Sequence, residues 1–173
     1  MSRIPAPITL KGKALQLLAA RDYTRAEMER KLAQWLRERS AREEETEAAP
    51  LDAEMQQVDQ ASAIAEALDA MEAKGFLDDQ RAAEALIHRR AGKLGNSRIQ
   101  QELRQKGLDA GAIEQAMEAV PGSELERARE IWQRKFGSVA GSPQERLRQM
   151  RFLASRGFSS AVVHQVVRGS PDE

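Results

Sequence analysis

The side chains of this sequence best suited to chemistry are its cations, and 20 of the 27 are arginine. Arginine presents a planar fork of donors that matches carboxylate or phosphate. Two groups stand out. Arg89, Arg90, Lys93, Arg98, Arg104 and Lys106 fall in one short stretch with a single acid, Glu102, and Arg146, Arg148, Arg151 and Arg156 form the second. Residues three or four apart share a side of a helix, so Arg148 and Arg151 align while Leu147, Met150 and Leu153 are expected to face a core. Such stripes suit phosphate or an acidic protein surface. Scattered, solvated cations are the plainer alternative.

Enzyme signatures are weak by comparison. Gly92-Lys93-Leu94-Gly95-Asn96-Ser97 has the look of a phosphate loop, but a Walker A would need glycine where Ile87 stands and a hydroxyl where Leu94 stands. It reads better as a turn between helices. Asp78 and Asp79 follow Gly75-Phe76-Leu77 and precede a helical pattern, so capping explains them before acid–base catalysis does. His88 and His164 are far apart and have no cluster of carboxylates beside them, which argues against a metal site. Cysteine is absent, removing disulfides, thiol nucleophiles and Cys-based zinc sites. No catalytic residue, metal or cofactor is therefore expected. Aromatic residues, at 4%, are too few for a base-stacking platform, and Trp35, Trp132, Phe136, Phe152 and Phe158 read mostly as core.

These residues need a scaffold, and composition points to helices. The 173 residues include 28 alanines and few valines, threonines or aromatics, a balance that favours helix over sheet. The formal net charge of zero hides a segregation: residues 40–79 carry 12 acids against 2 bases, and every other part of the chain is net basic. No apolar run approaches the roughly 18 residues of a membrane span, and the N-terminus lacks a signal core. A cytoplasmic protein is expected.

Helix ends are marked by a recurring cassette of a cation, glycine, an apolar residue and a cap: Lys74-Gly75-Phe76 with Asp78, Lys106-Gly107-Leu108-Asp109, and Arg156-Gly157-Phe158-Ser159. The cation complements the helix dipole, glycine takes the left-handed conformation and the apolar residue folds back on the last turn. The Asp or Ser then caps the next helix. Capping boxes pair Thr24 with Glu27, Ser97 with Gln100, Ser123 with Glu126, and Ser142 with Glu145, the last beside Pro143. Nine short helices are predicted near 10–21, 24–38, 54–74, 78–92, 97–106, 109–119, 123–136, 142–156 and 159–168.

The third, sixth and ninth of these helices repeat one another. Ala63-Ile64 with Ala67-Leu68, Ala112-Ile113 with Ala116-Met117, and Val162-Val163 with Val166-Val167 share their spacing at intervals of about 50 residues. The chain thus reads as all-α, with three tandem three-helix repeats at 10–77, 78–121 and 122–169. Stacked repeats predict an elongated, curved array with extended faces for a partner; a single packed globule is the alternative. The first repeat carries an acidic insertion at about residues 39–60, with Glu43, Glu44, Glu45 and Glu47. Its composition predicts a mobile solvated loop or helix extension, or an acidic mimic that screens the basic faces.

At four places the chain resembles the RecX family, regulators of the RecA recombinase. These are Ala14-Leu15-x-Leu17-Leu18 with Arg21-Asp22-Tyr23-Thr24-Arg25-Ala26-Glu27; Gly75-Phe76-Leu77-Asp78-Asp79-x-Arg81; Arg98-Ile99-x-x-Glu102-Leu103-Arg104-Gln105-Lys106-Gly107; and Arg148-Gln149-x-Arg151-Phe152-Leu153-x-x-Arg156-Gly157-Phe158-Ser159. They lie in family order across about residues 13–168. The resemblance implies three tandem three-helix repeats without enzymatic activity, acting in homologous recombination, DNA repair and the SOS response. It also implies binding along the groove of the RecA–DNA filament, with inhibition of filament growth, ATP turnover and strand exchange. Two departures stand out. Ala82 occupies a position where the family usually has an aromatic, and the acidic insertion replaces a short turn and brings a commonly basic family to zero net charge. The residues expected to meet filament or phosphate are Arg98, Arg104, Lys106, Arg148, Arg151 and Arg156, in a monomer with no membrane partner. Single- or double-stranded DNA is a further candidate partner, and a DNA-binding protein using helix-turn-helix units is the rival reading.

Overall fold

The computed structural model describes residues 8–44 and 53–169. Among them are nine helices and no strand: α1 (Leu10–Leu18), α2 (Arg25–Glu44), α3 (Ala53–Ala73), α4 (Asp79–Arg90), α5 (Asn96–Gln105), α6 (Ala110–Met117), α7 (Glu124–Lys135), α8 (Pro143–Ser155) and α9 (Ser160–Arg168). They fall into two compact units divided between Ala82 and Ala83.

The apolar residues at helical spacing gather into three clusters. Ala14, Tyr23, Met28, Leu32, Ile64, Leu68, Met71 and Leu77 join α1, α2 and α3 in the first unit. In the second unit Leu86, Ile87, Ile99, Leu103, Leu108 and Ile113 join α4 to α6, and Ile131, Trp132, Leu153, Phe158, Val163 and Val167 join α7 to α9. Each buried branched side chain contributes about 1.5–3 kcal/mol over its exposed state, so a trio of short helices depends on a handful of such positions.

The helix junctions follow local chemistry. Gly75, Gly107 and Gly157 take positive φ of 71°, 90° and 82°, and each is followed by a residue whose N–H reaches back to the last turn: Phe76 to Met71 O (2.9 Å), Leu108 to Leu103 O (3.3 Å) and Phe158 to Leu153 O (3.4 Å). Asp109 caps α6 through the N–H of Ala112 (2.8 Å), and Asp78 caps α4 through the N–H of Arg81 (3.0 Å). Ser123 and Glu126 form a reciprocal capping box on α7, and Thr24 and Glu27 form one on α2. Ser142 caps α8 ahead of Pro143.

Several expectations fail locally. α5 begins at Asn96 behind Gly95, so Ser97 lies inside the helix and caps nothing. Ser159 makes no side-chain cap on α9. Leu147 is exposed, because only Gln149 and Leu153 of α8 reach full burial. Phe76 is 48% exposed. The first cassette has one more residue before its capping Asp than the others, and Leu77 takes the core position instead. Trp35 is half-buried beneath the Arg39 guanidinium, 5.8 Å from its ring. At the flanks of the acidic insertion α2 continues through Glu44 and α3 starts at Ala53; Glu45 and Glu47 lie outside the described residues.

Candidate functional site

The two stretches of sequence richest in arginine meet in the second unit, where the α4–α5 turn lies against the α8–α9 turn. Gly95 N–H donates to Arg156 O (2.9 Å) and Ser97 N–H to Gly157 O (3.2 Å). The approach is close enough that a Cβ on Gly95 would collide with the Gly157 carbonyl, and one on Gly157 would stand 2.6 Å from the Arg98 backbone nitrogen. Only glycine permits backbone to pack on backbone in this way.

Polar side chains reinforce the joint. Glu124 accepts from the N–H of Asn96 (2.8 Å), and the buried Arg127 donates to Asn96 Oδ1, Pro121 O (3.2 Å) and Gly122 O (3.1 Å). Burial pushes the Arg127 guanidinium below its ordinary value, with the Glu124 charge opposing that shift. Arg134 donates to Gly92 O (3.0 Å). Behind it, Trp132 Nε1 donates to Gln149 Oε1 (2.9 Å), and Gln149 Nε2 in turn to Ser138 O (3.1 Å). Buried polar groups are satisfied by such chains.

Of the six residues expected to bind a partner, two lie at this joint. Arg98 and Arg156 are brought together by it. Arg98 is exposed and donates to Gln101 Oε1 (2.9 Å), and the half-buried Arg156 guanidinium stacks on Phe152, 4.2 Å from the ring centre. Arg104 and Lys106 stand at the other end of α5. Arg104 is exposed in the last turn, and Lys106 closes the helix through its backbone N–H to Glu102 O and Leu103 O (both 3.1 Å). Arg148 and Arg151 are exposed on α8 and make no ion pair with any described residue. The structure thus brings the turns that carry Arg98 and Arg156 together, with each guanidinium engaged separately, and leaves the others at separate positions.

Arg127, Asn96, Glu124 and Gly95 organise the joint; sequence reading treated Gly95 and Asn96 only as part of a turn between helices and passed over Arg127 and Glu124. The signal for Arg127 is thin: it stands one turn before Ile131 on a face that is otherwise apolar. His88 and His164 are exposed helix residues. No group of acids and histidines able to hold a metal occurs among the described residues.

The first unit has an ionic corner of a different kind. Arg81 donates to Asp22 (2.7 Å) and to the carbonyls of Gly75 (3.2 Å) and Phe76 (2.8 Å). Asp79 accepts from the N–H of Arg25 (2.6 Å), whose guanidinium spans Asp69 (2.7 Å) and Glu72 (2.6 Å). Hydrogen bonds to Glu72 and Asp69 hold that guanidinium above its ordinary value. Asp78 and Asp79 therefore serve helix ends.

Comparison with known proteins decides the family. The protein named "Regulatory protein RecX" from Leptothrix cholodnii is 43% identical over 161 residues, spanning 93% of this chain and 88% of that protein. The chain belongs to the RecX family. A second RecX, from Herminiimonas arsenicoxydans, is 35% identical over 165 residues, covering 95% of each chain. The family description "RecX, second three-helix domain" matches residues 78–117 and "RecX, third three-helix domain" residues 123–167, taking in α4 to α6 and nearly all of α7 to α9. Solved RecX structures share the fold. "Crystal structure of regulatory protein RecX" superposes with a TM-score of 0.63 at 21% identity, covering 92% of this chain and 74% of that one. "Crystal structure of RecX from Lactobacillus salivarius" gives 0.62 at 17% identity, covering 92% of both. No described helix is long and apolar enough to cross a membrane.

Proposed function

We propose that this protein is a non-enzymatic regulator of the RecA recombinase, binding along the groove of the RecA–DNA filament and restraining ATP turnover and strand exchange. The observation that carries this reading is the 43% identity to a RecX regulatory protein over nearly the whole chain. Exposed cations support it, above all Arg148 and Arg151 on α8, which no described carboxylate neutralises. They stand ready for acidic protein surface or phosphate, together with Arg98, Arg104, Lys106 and Arg156. Three helix trios, at 10–77, 78–121 and 122–169, give one cytoplasmic monomer several faces to set against a repeating partner. Occupying successive filament subunits would stiffen, cap or displace the filament without chemistry.

The test is ATP turnover by preformed RecA filaments on single-stranded DNA during titration of this protein, with binding to the same DNA and to naked duplex followed separately. Inhibition is expected well below one copy per RecA subunit. Arg148→Glu with Arg151→Glu should weaken it about tenfold, the loss of about 1.4 kcal/mol of binding. Unchanged turnover, together with naked-duplex binding whose log–log salt slope is near about −5 for about six phosphates, would favour the helix-turn-helix DNA-binding reading instead.

A further inference from the structure

In the second unit a cleft of about 440 Å³ opens beside the Gly95–Gly157 joint, and five cations converge on it: Arg90, Lys93, Arg134, Lys135 and Arg156. No acid lines it. Of the five, Arg90 is paired with a carboxylate, Glu102, which accepts from its Nε (2.8 Å). Lys93 and Lys135 are exposed and have no carboxylate partner among the described residues.

Two of the cations are held in place without being neutralised. Arg134 is tied to Gly92 O, a neutral acceptor, at 3.0 Å. Arg156 is laid on the Phe152 ring, and its buried Nε meets no hydrogen-bond partner among the described residues. Stacking and backbone tethering fix a guanidinium while leaving its charge available. Like charges gathered at one concave site repel one another, and an anion of matching size relieves that repulsion. The volume falls within the range of ligand clefts and accommodates more than one phosphoryl group.

We propose that this cleft is a binding site for closely spaced phosphoryl groups, supplied either by a free polyphosphate or by consecutive phosphodiesters of a single nucleic-acid strand. Arg134 and Arg156 form its fixed floor, and Lys93 and Lys135 close over the ligand from the rim. The site needs no recombinase, so it stands or falls apart from the filament reading.

Titration calorimetry of the full chain with inorganic pyrophosphate, and fluorescence anisotropy with a labelled short oligothymidylate, test it at low salt. Lys93→Glu with Lys135→Glu should weaken at least one ligand by about tenfold or more. Lys93→Gln with Lys135→Gln, a milder change at exposed positions, should weaken it less. Lys31→Glu with Lys74→Glu alters charge equally at exposed positions of the first unit and should leave binding as it is. Loss of pyrophosphate binding assigns the free-phosphate source. Loss confined to the oligonucleotide, with a salt slope shallower by roughly 1.4 for two contacts, assigns the strand. The proposal is overturned if neither ligand binds, if the Lys93 and Lys135 variants bind as the unmodified protein does, or if the Lys31 and Lys74 variant loses binding equally. Circular dichroism of each variant must first report an unchanged helix signal.

Discussion

At the end of α3, Lys74, Gly75 and Phe76 close the helix with the same two backbone bonds that Arg156, Gly157 and Phe158 make at the end of α8. Gly75 N–H reaches Glu72 O (2.8 Å) and Gly157 N–H reaches Ala154 O (3.0 Å), and the following N–H goes back to Met71 or Leu153. Their surroundings are opposite. A Cβ on Gly75 would meet nothing within 4 Å, whereas one on Gly157 would run into Arg98. Phe76 is 48% exposed and Phe158 is 5% exposed. One local signal thus ends a helix in both places, but in the second unit it also makes room for the α4–α5 turn and anchors a core. A cassette tells where a helix stops, and its neighbours decide what depends on it.

The largest effect should come from the two phenylalanines. Phe158→Ala is expected to cost about 3–5 kcal/mol, as for a buried aromatic in a small core, while Phe76→Ala should stay within about 0.5 kcal/mol. Urea unfolding of both variants checks this, and equal losses would break the contrast. The glycines sharpen it further. Gly75→Ala carries only the strain of a left-handed residue, about 1–2 kcal/mol. Gly157→Ala adds an overpacking cost of about 1–3 kcal/mol against backbone that cannot rotate away. A thermal midpoint lower for Gly157→Ala than for Gly75→Ala by several degrees is the expected outcome, and matching midpoints would mean the joint yields easily.

The smallest effect concerns pH and the α7 start. Ser123 donates to Glu126 through its N–H (2.8 Å) and its hydroxyl (2.9 Å), which holds the Glu126 carboxyl below the usual carboxylate range. A depressed folded value means stability present above the unfolded value, about 4.3, and lost as pH falls through the folded value. The small advantage over Glu126→Gln at neutral pH should therefore shrink as the solution is acidified below that range. Denaturation midpoints at neutral and acid pH measure it, and an advantage that grows in acid would refute the assignment.

Helix number and most boundaries were legible because their causes are local. Capping at Thr24, Asp109, Ser123 and Ser142, the left-handed glycines and the apolar spacing each act within a few residues. Ser97 misled because its neighbour Gly95 sets the helix start through contact with a turn some 60 residues away. Leu147 misled because the helical spacing that placed it with Met150 fixes only which residues share a side, and the burial on α8 lies with Gln149 and Leu153. The same holds for the cations. Their abundance in two stretches was plain, but Arg127, buried in a joint, and Arg148, free at the surface, look alike as letters.

What the sequence determined by itself is the all-helical character, the order and punctuation of the nine described helices, the repeating apolar pattern and membership of the RecX family, since all of these rest on interactions or similarities that run along the chain. What only the tertiary structure decided is which glycine tolerates a side chain, which phenylalanine is core, and which cations converge on one cleft. Those depend on distances between turns remote in sequence, where a few tenths of an ångström between backbones separates a contact from a collision.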